Sequence, residues 1–130
     1  MNLRVGLLSA GLFALATGVA PAQTPRTGGI MREKLVHSQA ILEALTTSNQ
    51  HLLVQETEAL SRIAASPQWT ADLRTPELRA YAERFSKTVA DLTTAARRND
   101  LDAAAGYYST LTTSCYQCHK HLKDQRVAGE

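Results

Sequence analysis

The chain has 130 residues, of which 44% are hydrophobic, 20% are charged and two are Cys, and this is the composition of one small globular domain. Fourteen Lys and Arg against twelve Asp and Glu give a formal charge of +2, with both signs spread along the chain. These values exclude a multidomain enzyme. The lack of a basic stripe argues against a nucleic-acid partner.

The first 22 residues have the pattern of a signal peptide. Arg4 is followed by an apolar stretch over 5–20, and the small-x-small sequence Ala20-Pro21-Ala22 precedes Gln23. The stretch is shorter than the ~20 residues of a membrane-spanning helix, so we predict cleavage, export and no remaining membrane anchor. We expect residues 23–29 to be a flexible lead-in and residues 30–130 to form one domain.

Two helical segments are predicted after the lead-in. The first, over about 30–45, has a stripe with spacings of four and three residues, formed by Met31, Leu35, Ser38, Leu42 and Leu45. The second, over about 50–65, places on one face Leu53, Leu60, Ile63 and Ala64. Ser66-Pro67 is expected to end it.

Two further segments complete the predicted fold. The third opens at Thr75-Pro76-Glu77, which supplies an N-cap, a proline in the first turn and a carboxylate near the positive end of the helix dipole. Its stripe is Leu78, Tyr81 or Ala82, Phe85, Val89, Leu92 and Ala96. The fourth is capped by Asp100 and runs to about residue 126. The connections are short, except for residues 66–74, which contain Trp69, and no segment shows the alternation of a strand. We therefore predict an all-α, antiparallel up-down-up-down four-helix bundle.

The fourth segment carries the most informative motif. Its stripe is Leu101, Ala104, Tyr108, Leu111, Cys115, Cys118 and Leu122, so both cysteines are expected to face the bundle interior. The sequence from Cys115 to His119 is the C-x-x-C-H pattern of covalent c-type haem attachment. Side chains three residues apart on a helix are about 5 to 6 Å apart, which lets two thioethers reach two vinyl groups on one porphyrin edge. His119 follows at once as an axial ligand of the iron.

Two other interpretations of the motif are weaker. A redox-active C-x-x-C normally opens a helix in a βαβ setting, whereas this one lies deep in an all-α segment. A zinc site needs further ligands, and the nearby His121 is about 160° around the helix from His119. Haem is favoured because the export signal, the motif and an aromatic content of only 5% agree.

A C-x-x-C-H motif near the C-terminus of a four-helix bundle resembles the class II c-type cytochromes, the cytochrome c-prime family. The resemblance implies one covalently bound haem c near one end of the bundle, its iron held by His119 as proximal ligand, in the periplasm. The resemblance also implies that the protein belongs to one of two functional groups within this family. Low-spin members take a sixth ligand from a methionine of the first helix and transfer electrons, whereas high-spin members have an open, apolar distal face and bind nitric oxide or carbon monoxide.

Met31 is the predicted sixth ligand. It is the one methionine after the leader, it lies on the predicted stripe, and its axial level differs from that of His119 by roughly 10 Å. Its alternative role is ordinary core filling. Leu35, one turn later, is expected to line the distal face of the haem. If Met31 does not bind the iron, Leu35 is expected to form the side of the open sixth position.

These residues predict a single-haem periplasmic electron carrier that serves a redox partner protein of unknown identity. The alternatives are a five-coordinate binder of diatomic gases and a haem-free interaction module; a homodimer is left open. No nucleophile, base and orienting residue occur in readable order, so we do not expect an enzyme.

The remaining polar residues are predicted to have surface roles. His37 is expected to face solvent, and His51 is expected to lie at the surface or to cap the second helix. Lys34, like Arg32 and Arg74, is expected to be a solvated charge, with contact to a haem propionate as the alternative. Trp69 is expected either to lie near the haem or to plug the end of the bundle.

Overall fold

Helices are the sole regular secondary structure in the part of the chain that the computed structural model describes, residues 26–71 and 73–129. The all-α prediction is therefore confirmed for this part. The predicted signal peptide, its cleavage site and residues 23–25 lie outside the described residues. The helices are α1 (Arg26–Thr46), α2 (Gln50–Ala64), α3 (Pro67–Thr70), α4 (Pro76–Arg97) and α5 (Leu101–Ala128).

The first helix begins at Arg26, four residues before the predicted start at Ile30, so part of the predicted lead-in is helical. Gly28 and Gly29 lie inside this first section, where a Cβ atom at either position would meet nothing within 4 Å. Extending a helix that is already formed adds one hydrogen bond per ordered residue and avoids the cost of nucleation. The packed part of α1 can therefore carry two poor helix formers at its beginning.

The buried face of α1 overlaps the predicted one only in part, since Met31 and Leu45 of the predicted stripe are partly buried against the core. Leu35 and Leu42 of the predicted stripe are 51% and 49% exposed, whereas Lys34, Ile41 and Ala44 are buried. Each buried position precedes a predicted one by one residue, which rotates the face by about 100°. Apolar residues surround much of α1, so their spacing alone does not select the buried face.

Side-chain caps fix the beginnings of the longer helices. The Thr75 hydroxyl accepts a hydrogen bond from the Leu78 backbone N–H at 3.2 Å, as the Thr-Pro-Glu pattern predicts. The Asp100 carboxylate accepts one from the Ala103 N–H at 3.0 Å and begins α5 at the predicted place. Each such cap contributes about 1 kcal/mol, since it satisfies a backbone donor that has no partner within the helix.

The connection after α2 contains a short helix that the sequence analysis misses. Ser66 and Pro67 end α2 as predicted, but the Ser66 hydroxyl also accepts a hydrogen bond from the Trp69 backbone N–H at 3.3 Å and so caps α3. A four-residue helix is too short to show an apolar period, and the same Ser-Pro pair that stops one helix starts the next. This helix fixes the position of Trp69.

The core is built mainly from α2 and α4. The largest fully buried side chains, each less than 2% exposed, are Ile41, Leu53, Leu60, Leu92, Leu111, Val89 and Thr57. Full burial of one such apolar side chain contributes about 1.5 to 3 kcal/mol. A polar contact lies within this core, where the hydroxyls of Ser61 and Thr93 are 3.1 Å apart and join α2 to α4.

Each of the five helices packs against at least one other. The helix α1 contacts α2, α3 and α5, and α4 contacts both α2 and α5. Buried residues of α5 are confined to its first half, where Ala104 and Leu111 are fully buried. The second half of α5, which carries the motif, borders a cavity instead.

Candidate functional site

The two cysteines lie one helical turn apart on α5 and border the same cavity. Both are half-buried, and both thiols are free. Burial raises the pKa of each thiol, and the nearby ammonium of Lys34 opposes the rise. The thiols are therefore neutral at pH 7, unlike the low-pKa cysteines of redox-active C-x-x-C sites. Their partial exposure shows where the bundle core ends, since Leu111 is fully buried and the next two turns of the stripe border the cavity.

The cavity has a volume of about 240 Å³ and lies among α1, α3, α4 and α5. Its lining is predominantly apolar and aromatic, as is usual for a small-molecule or cofactor site. It is lined by Met31, Lys34, Leu35, Ser38, Gln39, Trp69, Tyr81, Phe85, Tyr108, Thr112, Ser114, Cys115, Cys118 and His119. A second, more open cavity of about 810 Å³ adjoins it and shares three of these residues, namely Met31, Leu35 and His119.

All five residues that the sequence analysis selected line this one cavity. Cys115, Cys118 and His119 come from α5, and Met31 and Leu35 come from the facing part of α1. Met31 is half-buried, His119 is exposed and Leu35 is 51% exposed. Residues that are 80 or more positions apart in the chain thus meet at a single site.

Lys34 is the residue at the site that the sequence analysis misjudged. It is predicted as a solvated charge, yet it is 9% exposed, and its Nζ lies 3.6 Å from the ring centroids of both Trp69 and Phe85. Burial lowers its pKa to about 8, and the neighbouring Cys115 and Cys118 oppose this shift. The sequence does indicate that Lys34 lies on the same face of α1 as Met31 and Ser38, because it is three residues after the first and four before the second.

Trp69 is held at the cavity by α3. Its ring packs on Phe85 with centroids 5.8 Å apart, and the side chain is only 5% exposed. As predicted for the neighbourhood of the motif, it lines the same cavity as Cys115. Its Nε1 is buried and has no hydrogen-bond partner. Buried indole N–H groups usually have one, so this atom identifies a place for an acceptor.

The other histidines and arginines lie away from the cavity lining or only at its edge. His37 is half-buried, and its Nδ1 is 2.6 Å from Oε2 of the buried Glu56, so the prediction that it faces solvent is wrong. A carboxylate on the facing helix α2 accounts for the difference. His51 is exposed, as predicted. Arg32 and Arg74 are also exposed, and Arg32 lines the second cavity.

The residues present fit a covalently attached haem on three counts. Two free thiols one helical turn apart supply the attachment points, and His119 beside them supplies an imidazole. The thioether of Met31 borders the same space. The unpartnered Nε1 of Trp69 is suited to one of the carboxylate groups that haem carries. Among residues 26–71 and 73–129, no three His, Cys, Asp or Glu side chains come together as a metal-binding group.

Comparison of the chain with known protein families, with curated proteins and with solved structures finds no match. Within the described ranges, no helix is both long and apolar enough to cross a membrane.

Proposed function

We propose that this chain is a single-haem c-type cytochrome of the periplasm that carries electrons to or from a redox partner protein. The observation that carries the proposal is the meeting of Cys115, Cys118, His119 and Met31 at one apolar cavity. In this proposal the two thiols hold the haem covalently, and His119 and Met31 are the axial ligands. Haem, when bound, supplies a one-electron couple between ferric and ferrous iron.

Each of these residues has a defined part in the proposed function. Covalent attachment at Cys115 and Cys118 keeps the imidazole of His119 next to the iron, which requires that imidazole to be neutral. The Met31 thioether raises the reduction potential relative to a second imidazole. The apolar lining limits access of water, which favours the less charged ferrous state.

The antiparallel up-down-up-down bundle is part of the same proposal. Contacts between α2 and α4 support it, because residue numbers rise along one helix as they fall along the other. Glu58 pairs with Arg97 at 2.9 Å, and Ser61 contacts Thr93 at 3.1 Å. In such a bundle the beginning of α1 and the end of α5 lie at the same end, where the site residues meet. The periplasmic location rests on the signal-peptide pattern of residues 1–22.

A mass measurement tests the attachment. Protein produced together with a haem-attachment system should retain its haem through acidic organic extraction, and the double variant Cys115→Ala, Cys118→Ala should lose it. A chain mass equal to that of the unmodified polypeptide would refute the proposal. Free thiols that react with a maleimide reagent in the intact protein would lead to the same conclusion.

The sixth ligand has a separate test with a matched control. If Met31 binds the iron, the ferric protein has the weak near-infrared charge-transfer band of a thioether ligand, and Met31→Ala becomes high-spin and binds carbon monoxide when reduced. Leu42→Ala, on an exposed part of the same helix, should leave the spectrum unchanged.

A second candidate function is the binding of a diatomic gas by five-coordinate iron. The observation that favours it is Leu35, which lines the cavity beside Met31 and is half-exposed, and which would form an apolar distal wall. A high-spin spectrum in the unmodified holoprotein, with carbon monoxide binding that Leu35→Ala accelerates, would select this function over electron transfer.

A further inference from the structure

Two residues that line the cavity beside the motif carry hydrogen-bond donors that lack a negatively charged partner. Lys34 and Trp69 are both at least nine-tenths buried, and the ammonium group of the first lies 3.6 Å from the ring centroid of the second. No Asp or Glu is among the described residues that line this cavity. Its charge balance is therefore positive, in a largely apolar setting.

Both groups are unsatisfied, and leaving them so costs free energy. A largely buried cation without an anionic partner loses much of its hydration, and its contacts with aromatic faces recover only part of that loss. A buried N–H without an acceptor adds a further cost. One carboxylate, with two oxygens, would satisfy both groups at once, because charge-assisted hydrogen bonds from an ammonium and an indole N–H have the same kind of acceptor.

We infer that Lys34 and Trp69 together bind a carboxylate of the molecule that occupies the cavity. The inference rests on the proposed function, so the carboxylate is a propionate of the attached haem. In this arrangement the ammonium of Lys34 neutralises the propionate, and Nε1 of Trp69 donates a hydrogen bond to it. Because α3 holds Trp69, the four-residue helix serves to position this donor.

Direct binding of the iron by the Lys34 amine would explain only one of the two buried groups. An amine ligand is neutral, which removes the unpaired charge, but it leaves Nε1 of Trp69 without an acceptor. The carboxylate accounts for both buried groups. The two arrangements differ in what happens to the axial ligands when Lys34 is replaced, and this difference can be measured.

The test uses the holoprotein and four variants. Lys34→Met removes the charge and keeps an unbranched side chain of similar length, and Lys34→Arg restores the charge. Trp69→Phe retains a ring against Phe85 but removes the N–H donor. Lys123→Gln, an exposed cation on α5, is the matched control.

Two readouts are combined for each variant. Resonance Raman spectroscopy follows the bending vibration of the haem propionates, which shifts when a hydrogen bond to them is lost. Spectroelectrochemistry gives the ratio of ferric to ferrous protein at a fixed potential. Loss of a nearby buried cation favours ferric iron, and we expect Lys34→Met to raise the ratio by about threefold to tenfold. A tenfold change corresponds to 59 mV for one electron.

The expected result is a propionate shift in Lys34→Met and in Trp69→Phe, recovery in Lys34→Arg and no change in Lys123→Gln. Unchanged propionate vibrations in both Lys34→Met and Trp69→Phe overturn the inference and leave the cytochrome proposal intact. A change of spin state or loss of an axial nitrogen signal in Lys34→Met alone identifies Lys34 as an iron ligand and also overturns it. Absence of covalent haem from the unmodified protein refutes the proposed function itself, before any variant is compared.

Discussion

Replacing Lys34 by Met should stabilise the chain when it is produced without a haem-attachment system and kept reduced. Methionine is unbranched and adaptable, so it can occupy the space between Trp69 and Phe85 without a charge. The comparison of the two proteins isolates the ammonium group, because all other titratable groups are common to both.

The size of the effect follows from the pKa of Lys34. Its lowering from 10.5 to about 8 by burial corresponds to about 3 kcal/mol against the charged form at 1.36 kcal/mol per pKa unit. Contacts with the faces of Trp69 and Phe85 offset this by about 1 kcal/mol each. We therefore expect the free energy of unfolding of Lys34→Met to exceed that of the unmodified chain by about 1 to 3 kcal/mol at pH 7.

The pH dependence has a definite sign. The pKa of Lys34 is lower in the folded chain than in the unfolded chain, so between about pH 8 and pH 10.5 the unfolded chain binds more protons. The stability of the unmodified chain then rises with pH across this window relative to Lys34→Met, which has nothing to titrate at this position. The advantage of the variant should be largest below pH 8 and should shrink by pH 10.

Urea unfolding followed by circular dichroism at several pH values measures this advantage. With a slope of about 1 to 3 kcal/mol per molar urea, a difference of 2 kcal/mol moves the midpoint by about 1 M. Lys123→Met, which removes an exposed cation from α5, should show no comparable gain. An advantage that is independent of pH, or that grows from pH 7 to pH 10, would refute the conclusion that Lys34 is a buried cation.

Three further predictions concern the core and the site. Leu111→Ala should lower the free energy of unfolding by about 2 to 5 kcal/mol in urea titrations, because its side chain is fully buried, and a loss below 1 kcal/mol would contradict its place in the core. Tyr108→Phe should cost about 1 kcal/mol in the same assay, since the hydroxyl donates a hydrogen bond to the Ser38 carbonyl at 3.0 Å; an unchanged midpoint would show that this bond contributes nothing. Emission from Trp69 should be almost fully quenched in the haem protein and should return when the motif cysteines are replaced by Ala; bright emission in the intact haem protein would place the indole far from the haem.

The beginnings of α4 and α5 are predictable from the sequence because they depend on local chemistry. Thr75 and Asp100 accept hydrogen bonds from backbone donors three residues later, and these bonds depend only on neighbouring residues. The core face of α4 is also predictable, since Phe85, Val89 and Leu92 are buried on a stripe that few other apolar residues on that helix obscure. Local signals are therefore sufficient for the helical fold class and for most helix starts.

The positions of polar side chains are less predictable because they depend on partners far away in the chain. His37 has a buried neighbour in Glu56, which lies on the next helix, and no pattern within α1 reveals it. Lys34 is buried because α3 and α4 bring two aromatic rings over it. Patterns that count apolar residues treat a lysine as exposed, so they do not show that Lys34 lies beside Met31 and Leu35 in the lining of the cavity.

The stripe of α5 passes from the core to the cavity, so different residues of this helix determine stability and ligand binding. One stripe of this helix begins in the core at Ala104 and Leu111 and continues to Cys115 and Cys118, where it is half-buried and borders the cavity. The sequence spacing is the same on both sides of Leu111, so periodicity predicts the continuous face but not the point where the core ends. Substitutions before that point should change mainly the free energy of unfolding. Substitutions after it should change mainly what the cavity binds.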